Sequence, residues 1–149
     1  MRRVKNVGLL GSLLLLLLCS GSLYGQDLEQ LAALAAKRSA SMGDLAPLLA
    51  SLAEHVADAD MYLARLEESL AAYDAKTILT KGRASRVVCA ALKLRSSALY
   101  NLFPTERYAF RALVMEGVFK SASSPGDLMG GMELLDFINS LSSLAERSL

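Results

Sequence analysis

From Leu45 to Tyr73, nine apolar residues recur at alternating steps of four and three: Leu45, Leu49, Leu52, Val56, Ala59, Leu63, Leu66, Leu70 and Tyr73. A repeat of about 3.5 residues holds one apolar stripe against a partner helix, whereas a half-buried strand alternates every second residue. The segment therefore predicts a long helix that other helices must cover. Asp44 is placed to cap it by accepting from its free amide groups, and Pro47 falls in its first turn, where a missing N–H breaks no bond. At about 1.5 Å per residue the helix would be roughly 43 Å long, which is large for a small domain.

The rest of the chain reads as helix too. From residue 26 onward only ten residues are β-branched (five Val, two Ile, three Thr), and leucine and alanine fill most apolar places. Those side chains lose little rotamer freedom in a helix. A first helix spans about 27 to 40 and stops near Gly43, with Leu28, Leu31 and Ala35 on one stripe. A third begins near Ser85, after a loop containing Lys81 and Gly82, and runs to about Leu102, placing Val88, Leu92, Leu99 and Leu102 inward. Pro104 ends it, because the residue before a proline is pushed out of helical geometry. A fourth covers about 105 to 120 with Tyr108, Ala112, Met115 and Phe119 on its stripe. After the loop Ser121 to Gly126, Ser124 and Asp127 resemble a capping box, Gly130-Gly131 can delay the start to Met132, and Leu134, Ile138, Leu141 and Ala145 line the last helix. The fold expected is all-α: a four- or five-helix bundle or stacked helical hairpins. The hairpins invite comparison with tetratricopeptide-type arrays, but no second copy with the same offsets is found.

The first 25 residues have a different character. Arg2, Arg3 and Lys5 precede the apolar run Val7 to Leu18, which gives way to Cys19-Ser20-Gly21-Ser22. That is the layout of a secretory signal, and its apolar run, 12 residues long, falls short of the roughly 20 that cross a bilayer. Cleavage near Gly25 suits the small residues there; lipidation of Cys19 is the alternative, weakened by the bulky Leu18 before it. The reading is a signal at 1–25 and one helical domain at 26–149, exported to the periplasm or envelope and attached to a membrane only if Cys19 is lipidated.

Without the signal the chain keeps 13 basic and 15 acidic residues, a net charge of minus 2. The distribution is uneven: residues 26–75 carry nine acids and three bases, 76–120 two acids and nine bases, and 121–149 four acids and one base. The plain explanation is that the basic middle faces the acidic helix of its own chain, Arg86, Lys93 and Arg95 lying along Glu54, Asp58, Asp60, Glu67 and Glu68. The bases are spread rather than clustered, and export further disfavours nucleic acid as a partner.

Catalytic chemistry is thin. The one histidine, His55, has Glu54 and Asp58 nearby, and two ligands do not close a zinc site. Glu67 and Glu68 are adjacent and so point apart on a helix. Cys89, in Val87-Val88-Cys89-Ala90-Ala91, reads as a packed thiol. Neither a Gly-x-Ser-x-Gly elbow nor a phosphate-binding glycine loop occurs, and Thr80-Lys81-Gly82 does not substitute for one. The sequence therefore predicts no enzyme, no cofactor and no metal.

Two functional readings of different class remain. One is a non-enzymatic interaction module or accessory subunit of the bacterial envelope, meeting another envelope protein or itself. Its candidate residues are Tyr100, Phe103, Tyr108, Phe110 and Phe119, aromatics within 20 residues of one another, although a small helical core also claims such side chains. The other is a carrier enclosing an apolar small molecule, with Met115, Met129 and Met132 as adaptable lining.

Overall fold

A computed structural model of the chain describes residues 28–94 and 98–147. The signal segment, Cys19, Arg95 and the side chain of Leu99 lie outside the described set. Helix α1 covers 28–35, and contacts divide the chain between Leu34 and Ala35, so α1 is described by itself. Its exposed Leu28 and Leu31 lie on the stripe that the sequence predicts, and it ends well before Gly43.

The regular elements of the second unit are all helices among its described residues. It contains α2 (Met42–Ser51), a 3-10 turn (Leu52–His55), α3 (Ala59–Leu70), α4 (Lys81–Leu92), α5 (Ala98–Leu102), α6 (Glu106–Met115) and α7 (Gly131–Arg147). Among the described residues no helix is long and apolar enough to cross a membrane.

The long helix expected from the leucine stripe is two helices. After the 3-10 turn, Val56 adopts an extended backbone (φ −116°, ψ 149°), and Asp58 caps a new helix by accepting from Met61 N–H at 3.0 Å. Folding back lets the chain cover its own stripe: Tyr62 Oη donates to Leu49 O at 2.8 Å, joining α3 to α2. The break also changes the buried face. Leu45, Leu49, Leu52 and, in α3, Leu66 are at most 2% exposed as the repeat predicts, but Tyr62, outside the stripe, is buried while Leu63 and Leu70, within it, are half-buried.

Helix starts depart from the sequence reading in a consistent way. The cap of α2 is Ser41, not Asp44: Ser41 Oγ accepts from Asp44 N–H, and Asp44 accepts from Ser41 N–H at 2.9 Å, a reciprocal box that satisfies two free donors. Pro47 accordingly falls inside α2, beyond its first turn. Thr80 caps α4 by accepting from Arg83 N–H, so Lys81 and Gly82 form the first turn of a helix rather than a loop. That helix closes early, at Lys93 (φ 51°), and α5 is separate, with Leu102 71% exposed rather than inward. Helix α6 stops before Gly117 (φ 78°), whose left-handed backbone only glycine adopts freely. Ser124 and Asp127 do bond, Ser124 N–H to Asp127 Oδ2 at 2.8 Å, but close a turn; α7 starts at Gly131.

Three of these junctions share one pattern. Ala40 N–H donates to Met129 O (2.8 Å), Met129 N–H to Leu79 O (3.1 Å) and Leu79 N–H to Ala40 O (2.9 Å), a closed ring of backbone bonds among three residues at most 1% exposed. Each stands two positions before a helix: Ala40-Ser41-Met42, Leu79-Thr80-Lys81 and Met129-Gly130-Gly131. The next turn repeats the arrangement, with Met42 N–H on Thr77 O, Lys81 N–H on Asp127 O and Gly131 N–H on Lys37 O. Antiparallel bridges at Ser41–Ile78 and Thr80–Leu128 complete the clasp. The helix N-termini that would otherwise need partners are thereby satisfied by the linkers that precede other helices. Around it, α3 and α6 both pack against α4, and α2 packs against α3.

Candidate functional site

Burial sorts the five candidate aromatics. Tyr100 (8% exposed), Phe110 (5%) and Phe119 (8%) belong to the core. Phe119 stacks between Phe110 and Phe137 at centroid distances of 5.3 and 5.0 Å, within the range of favourable ring pairs. Phe103 is 56% exposed and leans on the half-buried Tyr108, ring centroids 6.1 Å apart. Only this pair reaches the surface as an aromatic corner, beside the exposed Leu102.

Helix α6 extends that corner. Its buried residues are Ala109, Phe110, Ala112 and Leu113, so the opposite face carries Arg107, Arg111 and Met115 one turn apart, with Met115 73% exposed. Neither arginine forms an ion pair among the described residues. A shallow cleft of about 360 Å³ runs along this face, with Arg107, Arg111, Val114 and Met115 among its lining. The apolar stripe of this segment gives the arginines no weight; their four-residue spacing is the signal in the sequence that marks them as one face.

The other polar groups are engaged in holding the fold. Lys81, only 7% exposed, directs Nζ to Glu133 Oε1 (2.8 Å), Asp127 Oδ2 (3.6 Å) and Ser123 Oγ (3.1 Å), tying α4 to the last loop and α7. Ser85 Oγ donates to Lys81 O at 2.6 Å. Cys89 is 1% exposed with Sγ 3.7 Å from Ala109 O; burial, with Glu116 nearby, pushes its thiol up to about 12, far from a reactive thiolate. His55 is exposed with Nδ1 4.0 Å from Glu146 Oε1, and Asp58 serves α3 as its cap. Among the described residues no three His, Cys, Asp or Glu side chains are grouped to hold a metal.

The predicted charge pairing between α3 and α4 is corrected. No described residue of α3 pairs with one of α4; the basic segment instead places Lys81 on Glu133 and Arg83 3.9 Å from Glu106. Asp60, Glu67 and Glu68 stay exposed on α3. The methionines of the carrier reading do not share a cavity: Met129 is buried in the clasp, while Met115 and Met132 are 73% and 63% exposed. Compared with models of protein families, curated proteins and solved structures, the chain matches none.

Proposed function

We propose that this is an exported, non-enzymatic helical protein of the bacterial cell envelope, an interaction module or accessory subunit whose helical hairpins are gathered by the clasp. The observation that carries the reading is the surface from Leu102 to Met115. It combines an exposed aromatic pair with two uncompensated arginines, the residue types enriched where proteins meet. The inward polar groups support it by their occupation: Lys81, Ser85 and Cys89 are bonded or shielded rather than presented to a substrate. The test is crosslinking in intact producing cells with a Leu102→Ser, Phe103→Ser variant. Crosslinks to other envelope chains or to itself should fall severalfold at unchanged thermal midpoint; an unchanged pattern removes the reading.

A carrier of an apolar small molecule is the second reading. One observation favours it: a cleft of about 190 Å³ lined by Val56, Tyr62, Leu92, Leu94 and Leu144, with Arg65 among its polar residues. That is below the roughly 300 Å³ at which ligand pockets usually begin. Native mass spectrometry decides it, since a carrier retains ligand mass that denaturation releases.

A further inference from the structure

We infer that the outward face of α6 docks onto the acidic outward face of α3 in a second copy of this chain; the inference rests on the interaction reading above and names the partner of that surface. At about 100° per residue, Arg107, Tyr108, Arg111, Val114 and Met115 share one half of α6, and its neighbouring acids Glu106 and Glu116 fall in the other. The exposed residues of α3 are Asp60, Met61, Ala64, Glu67 and Glu68; the half-buried Arg65 lies at the edge of this face with its guanidinium on the Met61 sulfur. The α6 face is thus basic and the α3 face acidic on balance, with three carboxylates against Arg65 at its edge, and none of Arg107, Arg111, Asp60, Glu67 and Glu68 forms an ion pair among the described residues. Both helices pack on α4 with these faces turned to solvent, so a face cannot meet its complement within one molecule.

The dimensions also agree. Asp60 to Glu68 and Arg107 to Met115 each advance eight residues, about 12 Å along a helix. Laid antiparallel, Arg107 faces Glu68, Arg111 reaches Glu67 across the small Ala64, and Met115, level with Asp60, lies beside Met61, which is 47% exposed. The parallel arrangement sets Met115 against Glu68 and loses the apolar contact. Because the two faces differ, one contact leaves a free α3 face on one copy and a free α6 face on the other, and a heterologous contact of this kind propagates beyond a pair.

Sedimentation velocity of the purified full chain tests this. At low salt the protein should form concentration-dependent assemblies that dissociate at about 0.5 M salt, where exposed charges are screened beyond about 4 Å. Arg107→Glu with Arg111→Glu, and separately Glu67→Lys with Glu68→Lys, should each raise the concentration of half-assembly about tenfold or more, the effect of losing roughly two exposed pairs. Mixing the two variants should restore assembly, since every face then has a complement of opposite sign. All four positions are solvent-exposed, and unchanged thermal midpoints confirm that the variants fold. A chain that stays monomeric at low salt overturns the inference, as does a mixture of folded variants that fails to reassemble. The interaction reading stands or falls separately, on the crosslinks of the Leu102→Ser, Phe103→Ser variant to other envelope chains or to itself; a monomer that still forms crosslinks to other chains sinks the inference alone.

Discussion

At the clasp, three chain segments meet backbone to backbone around Ala40, Leu79 and Met129; along α6, side chains reach outward from a helix that takes no part in that ring. The first region tolerates different side chains in equivalent places. Its three positions before a helix are Ser41, Thr80 and Gly130, and only the first two cap with a side chain. What it does not tolerate is added bulk where linker carbonyls approach. A Cβ on Gly82 would sit 2.9 Å from Pro125 O, and one on Gly43 3.1 Å from Ala75 O. The second region has the opposite rule: its backbone accepts any helix former, and its behaviour depends on which side chains are displayed.

That contrast can be broken by experiment. Leu79→Ala, at 0% exposure in the ring of backbone bonds, should lower unfolding free energy by about 2–5 kcal/mol in a denaturant titration. If instead it matches a surface substitution, the clasp does not hold the fold. Gly82→Ala should cost about 1–3 kcal/mol through the forced approach to Pro125, and Gly43→Ala less, because its contacts are looser.

The Lys81 cluster sharpens the comparison, since it is a side-chain bond inside the clasp. Lys81 has 9% of its side chain exposed against 43% for Glu133, so removing the carboxylate leaves the buried ammonium with only the more distant Asp127 and the neutral Ser123 as partners. Glu133→Leu should cost about 1–3 kcal/mol, and Lys81→Met, which removes the buried charge and keeps the stem, should cost less.

Acid dependence tests the first junction. Burial alone would raise the Asp44 carboxyl, but the bonds from Lys37 and from Ser41 outweigh it and hold the group below its ordinary 3.8. A carboxyl depressed by folding stabilises the protein at pH above that ordinary value, and the contribution disappears as pH falls through the lower folded value. Asp44→Asn should flatten this acid limb, and Ser41→Ala should cost about 1 kcal/mol at neutral pH. At the small end, Phe103→Ser should change stability by about 0.5 kcal/mol or less while altering association, measured by thermal melts alongside crosslinking.

Much of this architecture is legible in the residues. The poverty of β-branched side chains and the leucine spacing give helices, and Leu45, Leu49, Leu134 and Leu141 are all 0% exposed where the stripes place them. The breaks were harder. A 3.5-residue repeat continues through Val56 because periodicity records which residues are apolar, and carries no term for a chain that can cover its stripe by turning back. The aromatic cluster shows the same limit. Phe103 and Phe110 are equally apolar in sequence; one is 56% exposed and the other 5% because α6 turns its Phe110 side toward the core. Arg107 and Arg111 acquire meaning only once that orientation is fixed.

By itself the sequence determined a helical chain with leucine ridges, a thiol sequestered at Cys89 and an uneven run of charge, all properties of local composition and period. Tertiary structure alone decided that Ser39-Ala40-Ser41, Ile78-Leu79-Thr80 and Leu128-Met129-Gly130 are equivalent segments. Their side chains differ, and their likeness is a ring of amide-to-carbonyl bonds between residues 39 to 89 positions apart, which no local pattern of side chains encodes.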